Sequence, residues 1–210
     1  LPIFLDHPHP DRLVMRRRNK VAVLICGYAR SGKDTLASGI IGASHGAVRR
    51  LSFADPLKEV CNVMMYELGF SGAEHNFFME NYKVANRDFL VEVGRFARSK
   101  DKDVFARRLA FDIIDKRVDW VVVPDLRYAN EVEVCKRHLE TAGWSVHVIK
   151  IATDGVVAAN DEERESMKGL TDHIDRVHTY PANVAAEITR DGQHLFRALY
   201  QNPSTLEVIE

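Results

Sequence analysis

Cysteine, one-sided charge and long apolar runs are all scarce in this chain, and each scarcity excludes something. Cys26, Cys61 and Cys135 are its three cysteines, far apart and without the paired spacing of a metal centre or a disulfide framework. An odd, scattered set predicts reduced thiols in a cytoplasmic protein. Twenty-nine Lys and Arg against thirty Asp and Glu leave a formal charge of −1. No whole-surface field therefore steers the protein toward nucleic acid or a membrane, and no stable nucleic-acid complex is expected. No apolar run reaches the length of a membrane span, and no secretory signal is evident. What is present, in 210 residues, suffices for one substantial core with a smaller mobile insertion.

Residues 1–19 differ from the rest. Leu1–Pro10 holds three prolines and two histidines, and Arg16-Arg17-Arg18 with Lys20 forms a short basic block. This reads as a solvated N-terminal arm ahead of a domain spanning 20–210. His7 and His9 are too few to argue for a metal site.

The most informative segment is Gly27-Tyr28-Ala29-Arg30-Ser31-Gly32-Lys33-Asp34-Thr35. It follows the apolar stretch Val21 to Cys26 and opens the helical pattern Leu36, Ile40, Ala43. A buried strand, a glycine-bounded loop carrying a lysine, then a helix is the arrangement that cradles phosphates. Gly27 permits the tight turn, and Gly32 lets bare backbone N–H groups approach an anion. Lys33 reaches the outer phosphates as a point charge, helped by the helix N-terminus. The alternative is a glycine-rich strand-to-helix turn that binds nothing. Asp34 stands where the common loop has a hydroxyl residue, with Thr35 one place later. A carboxylate beside a polyphosphate is repelled unless a cation or water intervenes, so Asp34 is expected to face Mg²⁺, directly or through water.

Downstream, the pattern alternates. Val48–Phe53 reads as a strand and Asp55-Pro56 as a helix start, with Leu57, Val60, Cys61, Met64 and Leu68 as the apolar face and Gly69 as the stop. Residues 70–86 look like an insertion with its own aromatic cluster. On the next helix, Arg87, Val91, Gly94 and Arg98 share one stripe, a basic notch where an anion could approach. Asp103 caps a helix with Phe105, Leu109, Ile113 and Ile114 inward. Trp120–Asp125 reads as a buried strand ending in an acid, followed by a helix (Val132, Cys135, Leu139) and the strand Ser145–Ile151. Residues 153–184 read as a flexible lid or solvated loop. A last strand at Ala185–Thr189 and a helix at Gln193–Tyr200 complete the chain. The expected fold is α/β with three layers: a five-stranded parallel sheet, helices on both faces, and ligands at the carboxyl ends of the strands.

A second constellation, Pro124-Asp125-Leu126-Arg127 with Glu131 one turn into the following helix, lies at such an end. Asp125 could hold water on Mg²⁺ or orient an acceptor, and Arg127 could neutralise charge on a transferring phosphoryl group.

Taken in order, Arg30 to Thr35, Phe53-Ala54-Asp55-Pro56-Leu57-Lys58, Arg87 with Gly94, and Val123 to Arg127 through Glu131 resemble bacteriophage deoxynucleoside monophosphate kinases, relatives of adenylate kinase. The resemblance covers roughly residues 20–151. It implies a P-loop kinase that transfers the γ-phosphate of ATP to a deoxynucleoside monophosphate with Mg²⁺. By motif it implies that Gly27, Ala29, Arg30, Ser31, Gly32, Lys33, Asp34 and Thr35 bind ATP. Phe53 and Ala54 border the acceptor, within a region of about 54–117. Arg87 and Arg98 hold the acceptor phosphate beside Gly94. Asp125, Arg127 and Glu131 complete that site, and Phe105 stands where an aromatic packs on the base. Lys33, Asp34, Asp125 and Arg127 then form the catalytic set. Val91 stands where similar proteins have glutamine, and Arg190 where they have asparagine. The lid, about 153–184, lacks their His-x-Ser-Glu run, which leaves Arg164, Lys168 and Arg176 as its cationic candidates. The partners implied are small-molecule nucleotides, and a homodimer is compatible with the sequence. Two alternatives stay open: the same fold acting on a phosphorylated metabolite or a hydroxymethylated pyrimidine, and a non-catalytic, ATP-dependent binding module.

Overall fold

The computed structural model describes residues 19–116 and 118–203, so the N-terminal arm lies outside the described residues apart from position 19. Strand β1 (Lys20–Cys26) is the centre of a five-stranded sheet. It pairs in parallel with β3 (Trp120–Val123) on one side and β4 (Trp144–Thr153) on the other. Strand β2 (Val48–Arg50) lies outside β3, and β5 (Arg176–Tyr180) lies outside β4, giving the order β2-β3-β1-β4-β5.

β1 shows why the sheet is covered on both faces. Ala22, Leu24 and Cys26 point into one core, while Val21, Val23 and Ile25 point into the other, the period of two that a strand imposes. The first core is closed by α5 (Val104–Asp115) and α6 (Ala129–Thr141), through Leu109, Ile113, Val132, Cys135 and Leu139. The second is closed by α1 (Lys33–Ala43) and α8 (Ala185–Gln201), through Leu36, Ile40, Ile188, Leu195 and Leu199. The two helices cross at glycines. A methyl on Gly192 would stand 2.4 Å from the Leu36 carbonyl oxygen and 3.0 Å from the Gly39 Cα, so backbone rests on backbone. The three thiols are free and buried, and burial pushes Cys26 and Cys61 up to about 11 and Cys135 to about 12.

A satellite cluster forms between β2 and α5. Leu57 and Cys61 of α2 (Asp55–Glu67) and Phe77, in the turn before α3 (Glu80–Ala85), pack with Phe105. Tyr82 of α3 and Phe89, Leu90 and Val93 of α4 (Arg87–Lys100) lie against them. Only Leu57 and Cys61 of the expected α2 face are buried; Val60, Met64 and Leu68 are exposed because the insertion covers just one side of the helix.

Three further expectations are corrected. β2 stops at Arg50 instead of reaching Phe53, because the amides of Phe53 and Ala54 leave the ladder for the Asp125 carboxylate. The 153–184 segment is built rather than irregular: it carries α7 (Asp161–Gly169) and the edge strand β5. Ala185–Thr189 is the first turn of α8, not a strand, because Ile188, Gly192, Leu195, Phe196 and Leu199 fall on one buried helical face. Among the described residues, no helix is long and apolar enough to cross a membrane.

Candidate active site

The carboxyl ends of two adjacent strands, β1 and β3, open onto one cleft. The register pairs Leu24 with Val123 and Arg50 with Val122, so the turns after β1, β2 and β3 emerge side by side. A crevice at the central strand, where connections depart to opposite sides, is the usual ligand position in such sheets. The cleft is about 210 Å³ in volume. Its walls include Gly27, Ala29 and Lys33 from the loop after β1, Asp125 to Tyr128 from the loop after β3, and Arg87 from α4. Asn160, Glu162 and Glu163 close it from α7 and its cap.

The glycine-bounded loop has the backbone its composition demands. Gly27 (φ 147°) and Gly32 (φ 93°) occupy conformations that disfavour side chains, and a Cβ on Gly27 would collide with the Ile151 carbonyl oxygen at 2.4 Å. Arg30 is held left-handed at φ 66° and is exposed. Ser31 is buried, with its Oγ lacking a hydrogen-bond partner among the described residues. Lys33 Nζ donates to the carbonyls of Gly27 and Tyr28, at 2.7 Å each. Burial lowers its pKa, against the opposing pull of Glu163 and Asp34.

Asp34 departs from expectation. Its exposed carboxylate is paired with Arg50 and is not part of the cleft wall, because the first turn of α1 directs it toward the edge strand β2. Thr35 follows it, half-buried on α1. Among the described residues there is no cluster of three or more metal-ligating side chains. That donor set suits Mg²⁺ only as an ion held mainly by phosphate oxygens and water. Engagement of Asp34 with such an ion requires its pair with Arg50 to open.

Asp125 is a clamp. Its Oδ1 accepts from the Phe53 amide at 3.0 Å, and Oδ2 accepts from Ser52 Oγ at 2.5 Å and the Ala54 amide at 3.2 Å. Phe53 itself is buried in the main core and so reaches the site through its backbone alone, while Ala54 is half-buried at the start of α2.

Glu131 performs the same service one turn on. Its Oε2 accepts from the amides of Arg127 and Tyr128 at 2.9 and 3.1 Å, fixing the loop that presents the Arg127 side chain. Burial pushes its carboxyl up to about 7, beyond what those two hydrogen bonds pull back.

The basic stripe on α4 divides. Arg87 lines the cleft. Arg98 instead lies over the Phe105 ring, 5.0 Å from its centroid, and 6.0 Å from that of Tyr128. Phe105 is buried beneath it, which leaves little face for a base. Gly94 is buried against α2, where a Cβ would meet Leu57 Cδ2 at 3.1 Å. The same Cβ would stand 3.2 Å from Arg98 Nη1, so Gly94 makes room both for α2 and for the guanidinium of its own stripe.

Sequence reasoning did not find the acidic wall. Arg164 pairs with Asp161 and Lys168 with Glu165, and neither they nor Arg176 line the cleft. The α7 side chains that reach it include Glu162 and Glu163. Glu162 accepts from the Tyr128 hydroxyl at 2.9 Å, and Glu163 accepts from the Ala29 amide at 2.8 Å. The available signal was the cap: Asn160 followed three residues later by Glu163 marks a helix start.

No protein-family model matches this chain, and neither does any curated protein. Among solved structures, a gluconokinase from Sinorhizobium meliloti 1021 aligns with a TM-score of 0.48 at 12% identity, covering 89% of this chain and 97% of its own. A sugar kinase from Janibacter sp. aligns with a TM-score of 0.42 at 14% identity, covering 86% and 92%.

Proposed function

We propose that this protein is a P-loop phosphotransferase that moves the γ-phosphate of ATP to a deoxynucleoside 5′-monophosphate, with Mg²⁺ accompanying the donor. The observation that carries this reading is the shared cleft: the lysine-bearing loop, Arg87 and Arg127 line one space. Phosphoryl transfer is mostly positioning and charge stabilisation, and two cationic regions facing one cavity supply both. The loop amides and Lys33 serve the donor. Arg87 serves the acceptor phosphate, and Arg127 stands where charge develops between them. Asp125 and Glu131 act as positioning residues through their hydrogen bonds to backbone.

The test is release of ADP from Mg-ATP across a panel of deoxynucleoside monophosphates, phosphorylated sugars and hydroxymethylated pyrimidines, with Lys33→Ala as the control. Acceptor-dependent ADP release with a deoxynucleoside monophosphate, abolished in Lys33→Ala, is expected. Turnover with another acceptor alone would redirect the substrate class. Tight ATP binding without any acceptor-dependent turnover would leave a nucleotide-binding module.

A further inference from the structure

Helix α7 brings acid, not base, to the phosphate loop. Glu163 Oε1 accepts from the Ala29 amide at 2.8 Å and Oε2 from the Ala159 amide at 2.7 Å, so both carboxylate oxygens are engaged. The Glu163 amide in turn donates to the Asn160 side chain at 2.8 Å, which fixes the helix turn that carries it. Ala29 lies inside the loop bounded by Gly27 and Gly32, and Lys33 Nζ is bound to the carbonyls of Gly27 and Tyr28 at that same corner. An anion is therefore already seated on the loop, on the side Lys33 serves.

We propose that Glu163 is an internal ligand of the phosphate loop, occupying the Ala29 amide until the polyphosphate of the donor displaces it. The proposal rests on the phosphate-loop assignment above and adds a consequence to it. Two anions cannot share one amide and one cation without strong repulsion. Polyphosphate must then release the first turn of α7, and its apparent affinity is reduced by the fraction of loops that Glu163 fills. The same release reaches the acceptor side. Glu162, the neighbouring residue, holds the Tyr128 hydroxyl, and Tyr128 lies beside Arg98. Donor binding therefore frees Tyr128, which lines the same cleft as Arg87.

Calorimetric titration with inorganic tripolyphosphate and with Mg-ATP, without acceptor, tests this on wild type, Glu163→Gln and Glu163→Ala. Glu163 is near the surface, so both variants are expected to fold; the first keeps the shape and removes the charge. Binding three- to tenfold tighter in both variants is the expected result. Amide exchange across residues 159–166 of wild type should also speed up when ligand saturates. Equal or weaker binding in the variants, with wild type still binding, would overturn the internal-ligand role and leave the phosphate loop standing. Slower exchange in 159–166 would overturn it as well, making Glu163 a latch that closes over the donor. If neither wild type nor the variants bind tripolyphosphate or ATP, the phosphate-loop assignment falls and this role with it.

Discussion

The Phe53 amide donates to Asp125 Oδ1 at 3.0 Å, tying the turn after β2 to the end of β3 across 72 positions of sequence. With Ser52 and Ala54 on Oδ2, three donors converge on one carboxylate. In Asp125→Asn, whichever way the amide is turned, its NH₂ faces a backbone N–H. With the NH₂ turned toward the place of Oδ2, the Phe53 amide keeps its acceptor and the Ala54 amide keeps Ser52 Oγ at 3.1 Å. Chemical denaturation should therefore show a loss of about 0.5–1.5 kcal/mol, the net worth of one hydrogen bond. Under the proposed reaction, kcat/KM should fall along with it.

Arg87 reaches the cleft from α4, away from the lysine-bearing loop. Arg87→Ala should raise the acceptor KM roughly ten- to a hundredfold, the range of a charge-assisted hydrogen bond to phosphate. The Kd of ATP, measured by calorimetry, should stay within about twofold. Equal losses for both ligands would remove the two-site assignment.

Glu131 makes stability depend on pH. Its folded carboxyl is raised to about 7 by burial, whereas an unfolded glutamate ionises near ~4.3. The folded state thus holds a proton that the unfolded state has already lost. The stabilising contribution is complete below about pH 4 and disappears as pH rises through about 7. Glu131→Gln keeps an oxygen for the amides of Arg127 and Tyr128 and has no proton to lose. Urea midpoints at pH 5 and pH 8 should differ less in this variant than in wild type.

At the α1–α8 crossing, Gly192→Ala puts a methyl into the Leu36 carbonyl. Alanine gains about 1 kcal/mol of helix propensity, but the neighbour is rigid backbone and the crowding dominates. A net loss of about 2 kcal/mol is expected from thermal and urea unfolding, with no change in which acceptors are used.

The central strand, the glycine-bounded loop and α1 were legible because their signals are local and strong: an unbroken apolar run, two glycines, then a helical period. β5 was not. Its residues Arg176 to Thr179 are polar or exposed and only Tyr180 is buried, so an edge strand left no apolar pattern to read. Ile188 and Thr189 are β-branched and locally resemble a strand, while the helical face of α8 appears only when Leu195, Phe196 and Leu199 are counted with them. At the site, Arg127 was legible from its motif at a strand end and Arg87 from the helical spacing of its stripe. Glu163 was not, because a charged run at 161–165, four acids and Arg164, looks like any solvated surface until the fold brings it against Ala29. Gly94 was legible only in part: a helix glycine signals close approach without naming what approaches, and here Leu57 and the Arg98 guanidinium both do.

The meeting of Gly39 with Gly192 bears on how the protein can move. Two backbones in direct contact have no intervening side chains to swap rotamers, so that seam cannot slide by small repackings. The half of the molecule beneath Lys33 therefore behaves as a fixed floor. Under the proposed reaction, shape change falls to α2 through α4 on one side and α7 on the other, which would converge on a donor that stays still.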